Sequence, residues 1–340
     1  ELEKQQKTLT ILGASSGDTV SAAEEAMRSK KNINVVMLTP KHGMSDFQKA
    51  QAGTILDKNI FNVSIDGTFD ICQDLVKEVN KDIEFKEKYN IGAVNSINWG
   101  RICAQIVYYI YGYLNTVKDV GEPLDVIVPS GNFGNILAGY IAKQMGLPLR
   151  NLIIATNENK VLDTLFKTGI YKQEQVTKTN SPSMDISKAS NFERLLYDSL
   201  NKNPKACQKL MKQFELTNEI DLSKTIKLLT EEANFKSEST NHEDRIKTIK
   251  KVFKDTKRII DPHTATAVHI AIKNQHSDIP MLCMETAKPT KFENSINEAI
   301  NLIPKRDEKF IGIENKKQQF FNIEANKDAI KDFIKEKIKL

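Results

Sequence analysis

The sequence predicts an α/β fold of mainly parallel sheets covered by helices on both faces, with an added helical segment. Three observations predict it. Short apolar, β-branched runs alternate with amphipathic helical stretches along most of the chain. Two of the strand-like runs break into small-residue loops that lead straight into helices. The 340 residues, 40% of them hydrophobic, suffice for one large domain and part or all of a second.

Thr8 to Leu12 reads as a buried strand that breaks at Gly13 into Ala14-Ser15-Ser16-Gly17-Asp18-Thr19, before a helix from Val20 to about Arg28. The hydroxyls and first helical amides suit an anion, and Ser and Asp there are equally ordinary helix caps. Ile33 to Leu38 is a second strand, stopped by Pro40 and followed by a polar helix around Ser45 to Ala52. A third strand, Ile60 to Ile65, hands over at Asp66-Gly67 to a helix whose Ile71, Leu75, Val76 and Val79 make one apolar stripe. Asn95 to Arg101 opens a helix, Ile102 to Leu114, whose four tyrosines read as packing.

Leu124 to Pro129 is the next strand. Ser130-Gly131-Asn132-Phe133-Gly134-Asn135 is its turn, and Ile136 to Ala142 begins the helix. Glycines let the backbone approach a ligand, and free N–H groups opening a helix suit a phosphate; a tight strand-to-helix connection would use the same residues. Leu152 to Thr156 is a further strand ending in the polar run Asn157-Glu158-Asn159-Lys160. From Phe192 to about Lys254 come amphipathic helices rich in Lys and Glu, a helical cover without evident chemistry, in which His242 reads as a solvent-facing loop residue. The alternation resumes with Ile259 to Thr264 opening a helix, a short strand from Pro280 to Thr286, and a Lys-rich helical tail. In such sheets ligands gather at the carboxyl ends of strands, where both small-residue loops sit.

Composition excludes several classes of function. The formal charge of +5 comes from lysines scattered over helices, not a basic block with interleaved aromatics, which argues against nucleic acid. Cys72, Cys103, Cys207 and Cys283 share no CxxC spacing and suggest neither zinc nor a disulfide framework; reduced core thiols of a cytoplasmic protein are expected. No apolar stretch reaches the length of a membrane span. Glu1 is not methionine, so the chain is expected to begin inside a longer coding sequence.

Several runs together resemble the threonine synthase family, pyridoxal-phosphate enzymes of the tryptophan-synthase-β fold (fold type II), in its longer, fungal-type branch. They are GASSGDT from Gly13, IDGTFDICQ from Ile65, NIGAVNSINWGRICAQ from Asn90, VPSGNFGNILAGYIAKQMGLP from Val128, IATNEN from Ile154, SPSMDI from Ser181, SNFERLLY from Ser190, DPHTA from Asp261 and TAKPTKF from Thr286. Each alone is weak; in this order over nearly the whole chain they are specific.

The resemblance implies pyridoxal 5'-phosphate as cofactor, its phosphate held by Gly131, Asn132, Phe133, Gly134 and the backbone of Ile136, with Thr286 bonding the pyridine nitrogen. It implies O-phospho-L-homoserine as substrate, met by Ser15, Ser16, Asp18 and Thr19, with Asn98 and Arg101 facing its phosphate or carboxylate. It further implies a smaller substrate-loop domain over 1–100 and a larger cofactor domain over 101–340, with a helical insertion at about 192–256. Oligomeric state is left open.

The sequence departs from the family at Ser15, where Thr is commoner, and at Val20, where Gly is. Asn135 replaces the commoner Asp, and Lys288 the commoner His. Val20 is expected to crowd the substrate or alter the helix start. The family's Phe-Lys-Asp motif with the Schiff-base lysine does not occur in these 340 residues. The lysine is therefore expected upstream of Glu1, and the chain as written is expected not to turn over.

Two other readings stay open at this point. A non-catalytic relative that keeps the cradle as a ligand-binding module is favoured by the missing lysine and Val20, and opposed by Thr286, Asn98, Arg101 and the intact turn. A nucleotide-binding protein would rest on the turn alone, without a GxGxxG and a following acidic residue. If the lysine assignment is right, borohydride treatment with pyridoxal phosphate should fix no cofactor to a single buried lysine within Glu1 to Leu340. A stable adduct mapped there by mass spectrometry would show that the lysine is inside the chain.

Overall fold

A computed structural model describes residues 2–15, 17–42, 44–94, 98–275 and 278–338. The chain forms two compact units, one made of Glu1–Asn98 with Arg306–Leu340 and the other of Trp99–Lys305. The first stretch supplies β1 (Leu9–Ala14), α1 (Asp18–Met27), β2 (Ile33–Pro40), α2 (Asp46–Gly53), β3 (Ile60–Ile65), α3 (Phe69–Lys81), α4 (Ile83–Lys88) and β4 (Ile91–Gly92). The second unit begins with α5 (Trp99–Leu114), β5 (Leu124–Pro129), α6 (Gly134–Gln144), β6 (Leu149–Thr156), α7 (Val161–Thr168) and β7 (Ile170–Lys172). It continues through α8 (Phe192–Ser199), α9 (Pro204–Thr217), β8 (Glu219–Asp221), α10 (Ser223–Glu232), β9 (Phe235–Ser239), α11 (His242–Thr256), α12 (Pro262–Asn274), β10 (Met281–Cys283) and α13 (Glu293–Ile300). β11 (Phe321–Ile323) and α14 (Lys327–Lys337) return to the first unit.

The first unit is built on a parallel sheet in the order β11-β3-β2-β1-β4. Neighbouring residues of β1 and β2 enter opposite cores: Ile11, Val35 and Met37 join Val20, Ala52 and Ile60 on one face, whereas Leu12, Val36 and Leu38 join Leu75, Val79 and Ile334 on the other. This is why the strands read as continuous apolar runs. Ser45 caps α2 with a reciprocal capping box to Gln48. On α3 the buried stripe is Cys72, Leu75, Val76 and Val79, while Ile71, expected in it, is exposed.

The carboxyl tail corrects the expected domain division. β11 pairs in parallel with β3, setting Phe321 level with Val63, and Ile330, Phe333 and Ile334 of α14 complete the core beside Phe61 and Phe85. Residues 306–340 thus belong with the first unit, not with 101–305. Their helical pattern was legible; which apolar face they would cover was not.

The second unit centres on a parallel sheet in the order β10-β5-β6-β9. Ile127, Ile153 and Ala155 face Ala267 and Ile270 of α12, while Val126, Val128, Leu152 and Ile154 face the core with Tyr109, Ile136 and Leu162. β9 lies in the stretch expected to hold helices joined by polar connectors, one of them at Ser237 to His242, and not a strand. Of its five residues only Phe235 is fully buried, so an edge strand with polar sides carries no apolar signal. His242 is the first residue of α11, half-exposed, with Nε2 2.7 Å from Glu298 Oε1. All four cysteines are free, and burial pushes the Cys72 and Cys283 thiols up to about 12. Among the described residues no helix is long and apolar enough to cross a membrane.

Glu24 of α1 is fully buried, and neither carboxyl oxygen has a hydrogen-bond partner among the described residues. Burial raises its pKa from 4.5 to about 8, with the neighbouring Asn62 amide pulling weakly the other way. The folded state therefore favours the neutral acid. The associated stability is fully present below the unfolded value near 4.5 and is lost as pH rises through about 8. Urea unfolding should show Glu24→Gln more stable than the parent at pH 8 by on the order of 1–3 kcal/mol and near-equal at pH 4.5. The same difference at both values would mean that Glu24 ionises normally.

Candidate functional site

β5 is buried along its whole length and ends where Ser130 donates its N–H to the Ala155 carbonyl of β6 at 2.8 Å and its Oγ–H to the Val128 carbonyl at 3.0 Å. The turn that follows owes its shape to Phe133. This residue is the N-cap of α6 in the left-handed region (φ 69), and its ring is 1% exposed among Phe166, Phe192 and Phe235 at 5.8–6.2 Å. A bulky residue at positive φ costs roughly 1–3 kcal/mol, which the buried ring offsets. The Gly134 amide is taken by Asn132 Oδ1 at 3.0 Å, and Leu137 N–H makes the first helical bond, to the Phe133 carbonyl at 3.1 Å. Among the described residues, the amides of Gly131, Asn132, Phe133, Asn135 and Ile136 have no acceptor. They cluster at a helix start that carries positive potential, an arrangement that receives anions.

A second loop braces this turn. The Asn132 carbonyl accepts from the Asn191 amide at 3.0 Å and from its Nδ2 at 3.2 Å. Asp185 accepts from Asn157 and Asn159 Nδ2 at 2.8 Å, from Thr179 Oγ1 at 2.7 Å and from the Thr179 amide at 2.8 Å, which ties residues 179–185 to the end of β6. A Cβ on Gly131 would lie 2.4 Å from the Ser183 carbonyl oxygen. Gly131 is needed for that approach and not for a positive φ, which the turn assigns to Phe133. Asn157, Ser183, Asp185 and Asn191 were not foreseen as site residues. They lie in the quoted motifs, but nothing in their spacing names their partners.

Thr286 lies three residues beyond β10, whose Cys283 is level with Ile127 of β5; it is exposed on the carboxyl-end side of the strand that carries the turn. Arg101, in the first turn of α5, is part-buried, and burial lowers its pKa, although a guanidinium keeps its charge. Asn135 presents Oδ1 and its carbonyl 2.8 Å from the hydroxyl of buried Tyr109. Burial raises that hydroxyl's pKa well above its usual value and keeps it a neutral donor, and the side-chain amide of Asn135 accepts from it without placing a charge in the core.

In the first unit, Ser15 is buried at the end of β1, its Oγ accepting from the Gly17 amide at 3.2 Å. Gly17, with no side-chain cap, precedes Asp18 and Thr19 on the first turn of α1. Ser16 lies outside the described residues. Val20 points into the core with Ile11, Val35 and Met37, so it neither crowds the loop nor disturbs the helix start. Asn98 donates to the Ala93 carbonyl at 3.1 Å. Ser15, Asp18, Thr19 and Asn98 thus stand in one unit; Arg101, Thr286 and the turn at 131–136 stand in the other.

Gly131→Ala, a change of one methyl, should push the Ser183 loop away and weaken phosphate binding at least tenfold while circular dichroism stays unchanged. Titration with inorganic phosphate checks it. Undiminished binding by the folded variant would make the turn a mere connection.

Residues 1–280 match the family of pyridoxal-phosphate dependent enzymes, and residues 264–334 match the threonine synthase C-terminal family. Threonine synthase of Methylobacillus glycogenes is 46% identical over 341 residues, covering 99% of this chain and 72% of the relative. That of Schizosaccharomyces pombe is 42% identical over 325 residues, covering 88% and 63%. The crystal structure of pyridoxal-phosphate-bound threonine synthase from Brucella melitensis superposes with a TM-score of 0.89 at 33% identity, over all of this chain and 73% of the other. The yeast enzyme gives 0.85 at 36% identity, over 98% and 70%. The expected fold type II architecture is borne out by these likenesses. The chain belongs to the threonine synthase family of pyridoxal-phosphate dependent enzymes.

Proposed function

We propose that this chain serves the conversion of O-phospho-L-homoserine and water to L-threonine and phosphate, a carbon–oxygen lyase reaction, with the cofactor's phosphate at the start of α6 and its ring nitrogen at Thr286. The observation that carries the reading is the set of five unpaired amides at Gly131, Asn132, Phe133, Asn135 and Ile136. They fit a phosphate because the oxyanion supplies the acceptors that the protein withholds, and the turn contains no carboxylate to repel it. Gly134 acts through the Asn132 side chain that its amide holds.

Bound there, the cofactor supplies a conjugated ring that stores electrons withdrawn from the substrate. The chain's own groups bind and orient. Thr286 offers the ring nitrogen a neutral hydroxyl and so leaves it less protonated than a carboxylate would. Arg101 suits the substrate's phosphate or carboxylate, since its planar fork bonds two oxygens at once. Ser15, Ser16, Asp18, Thr19 and Asn98 would serve the substrate from the first unit, which in this reading is the substrate-loop domain, and 99–305 the cofactor domain. No lysine of these 340 residues is given the Schiff-base role.

Thr286→Asp should raise the pH at which bound pyridoxal phosphate loses its ring proton, followed by absorbance titration, because a carboxylate stabilises the protonated nitrogen. An unchanged titration would remove Thr286 from the ring. If inorganic phosphate fails to compete with the cofactor in equilibrium dialysis, the site at α6 is wrong.

A further inference from the structure

The DPHTA run at the start of α12 is used by neither binding role, yet it holds a buried polar relay. Asp261, fully buried, caps α12: its Oδ1 accepts from the His263 amide at 2.8 Å, and its Oδ2 accepts from the Thr264 amide at 3.4 Å and from the Thr264 hydroxyl. Capping alone does not require an imidazole two residues on. His263 is 2% exposed, its ring set edge-on to Phe292 at 4.8 Å, with Nδ1 2.8 Å from Asp261 Oδ1. A carboxylate only accepts, so Nδ1 carries the proton and Nε2 is left with its lone pair. That lone pair accepts from the Ser183 amide at 3.2 Å, eighty positions away in sequence. The carbonyl of the same Ser183 is the group against which Gly131 rests.

We infer that Asp261 and His263 are positioning residues of the phosphate site: Asp261 selects the tautomer, His263 anchors the Ser183 peptide, and that peptide sets how closely residues 181–184 press on Gly131. The inference rests on the reading of the α6 start as the cofactor's phosphate site. Packing by itself does not account for the imidazole, because an apolar ring against Phe292 would fill the space without burying two nitrogens that must both be satisfied. Nor do the Asn157–Asp185 bonds replace it. They fix Thr179 and Asp185, on either side of Ser183, and the short 3-10 turn Pro182–Met184 holds the Ser183 carbonyl's peptide through the Met184 N–H to the Ser181 carbonyl at 3.0 Å. Among the described residues, however, only the histidine takes the Ser183 amide and ties this turn to α12.

The test uses the 340-residue chain with His263→Asn and His263→Gln. Asn keeps a group beside Asp261 but is too short to reach the Ser183 amide; the amide oxygen of Gln reaches the place of Nε2. Equilibrium dialysis with pyridoxal phosphate should show affinity at least tenfold weaker for His263→Asn and within about threefold of the parent for His263→Gln. Amide hydrogen exchange at Ser183 should quicken only in the former. Parental affinity in His263→Asn, or equal loss in both variants, overturns the inference.

If His263→Asn does not fold, the parent decides. A 15N spectrum with the proton on His263 Nε2, or a freely exchanging Ser183 amide, overturns the relay, and a protonated Nδ1 with a slow amide upholds it. Gly131→Ala separates the two layers. Undiminished cofactor binding there defeats the phosphate site itself, whereas weakened binding there beside parental binding in His263→Asn defeats only the relay.

Discussion

The second unit depends on keeping a helix start unsatisfied. Buried amides are ordinarily paired, and leaving one without an acceptor costs about 1–3 kcal/mol. At this turn Gly131, Asn132 and Asn135 are only part-buried, so the five amides without an acceptor among the described residues are open to an anion, in a shape that the surrounding groups hold. Phe133 supplies the first restraint. Its left-handed backbone is what departs from helical geometry at the start of α6, and the cage of Phe166, Phe192 and Phe235 prevents it from relaxing. Strand β5, paired on both sides and covered on both faces, prevents the turn from retreating.

The second restraint is the loop over residues 177–191, which has little regular structure and would not keep one shape unaided. It is tied to β6 by Asn157, Asn159 and Asp185, to the turn by Asn191, and to α12 through Ser183 and His263. The stretch dismissed as a mere cover adds another tie. Arg245 of α11, with no exposed surface, forks onto Glu158 at 2.8 and 3.1 Å and reaches Asn180 Oδ1 and the Thr240 carbonyl at 2.8 Å. A buried guanidinium with three partners is costly to leave half-satisfied. It therefore holds the first part of the loop at Asn180, beside the Thr179–Asp185 bonds, while Asn191 holds its end.

The first unit shows how departures from a family pattern are resolved by packing. Val20, read from the resemblance as a departure from glycine, is at the third position of α1, and its side chain fills space between α1 and the sheet. Glu24, one turn further, is a carboxyl buried beside Asn62, its oxygens without a hydrogen-bond partner among the described residues. The same face of one short helix thus contains a substitution that the core absorbs and a carboxyl that it tolerates only in neutral form.

Local pattern sufficed for the strands β1, β2, β3, β5 and β6, for the helices that follow the first four of them and for both small-residue loops, because strands buried on two faces carry continuous apolar runs and strand-to-helix turns need small residues. Family motifs then identified the turn at Ser130 to Asn135 and the residues near it. Tertiary structure alone decided that β9, polar and at a sheet edge, is a strand, and that Phe321 closes the sheet of the other unit. It also decided that Gly134 yields its amide to Asn132 while Asn135 keeps its own free. These outcomes turn on which groups meet across tens or hundreds of residues. A hydrogen bond such as that from Ser183 to His263 leaves no periodicity behind, since it constrains one atom at each end and nothing between.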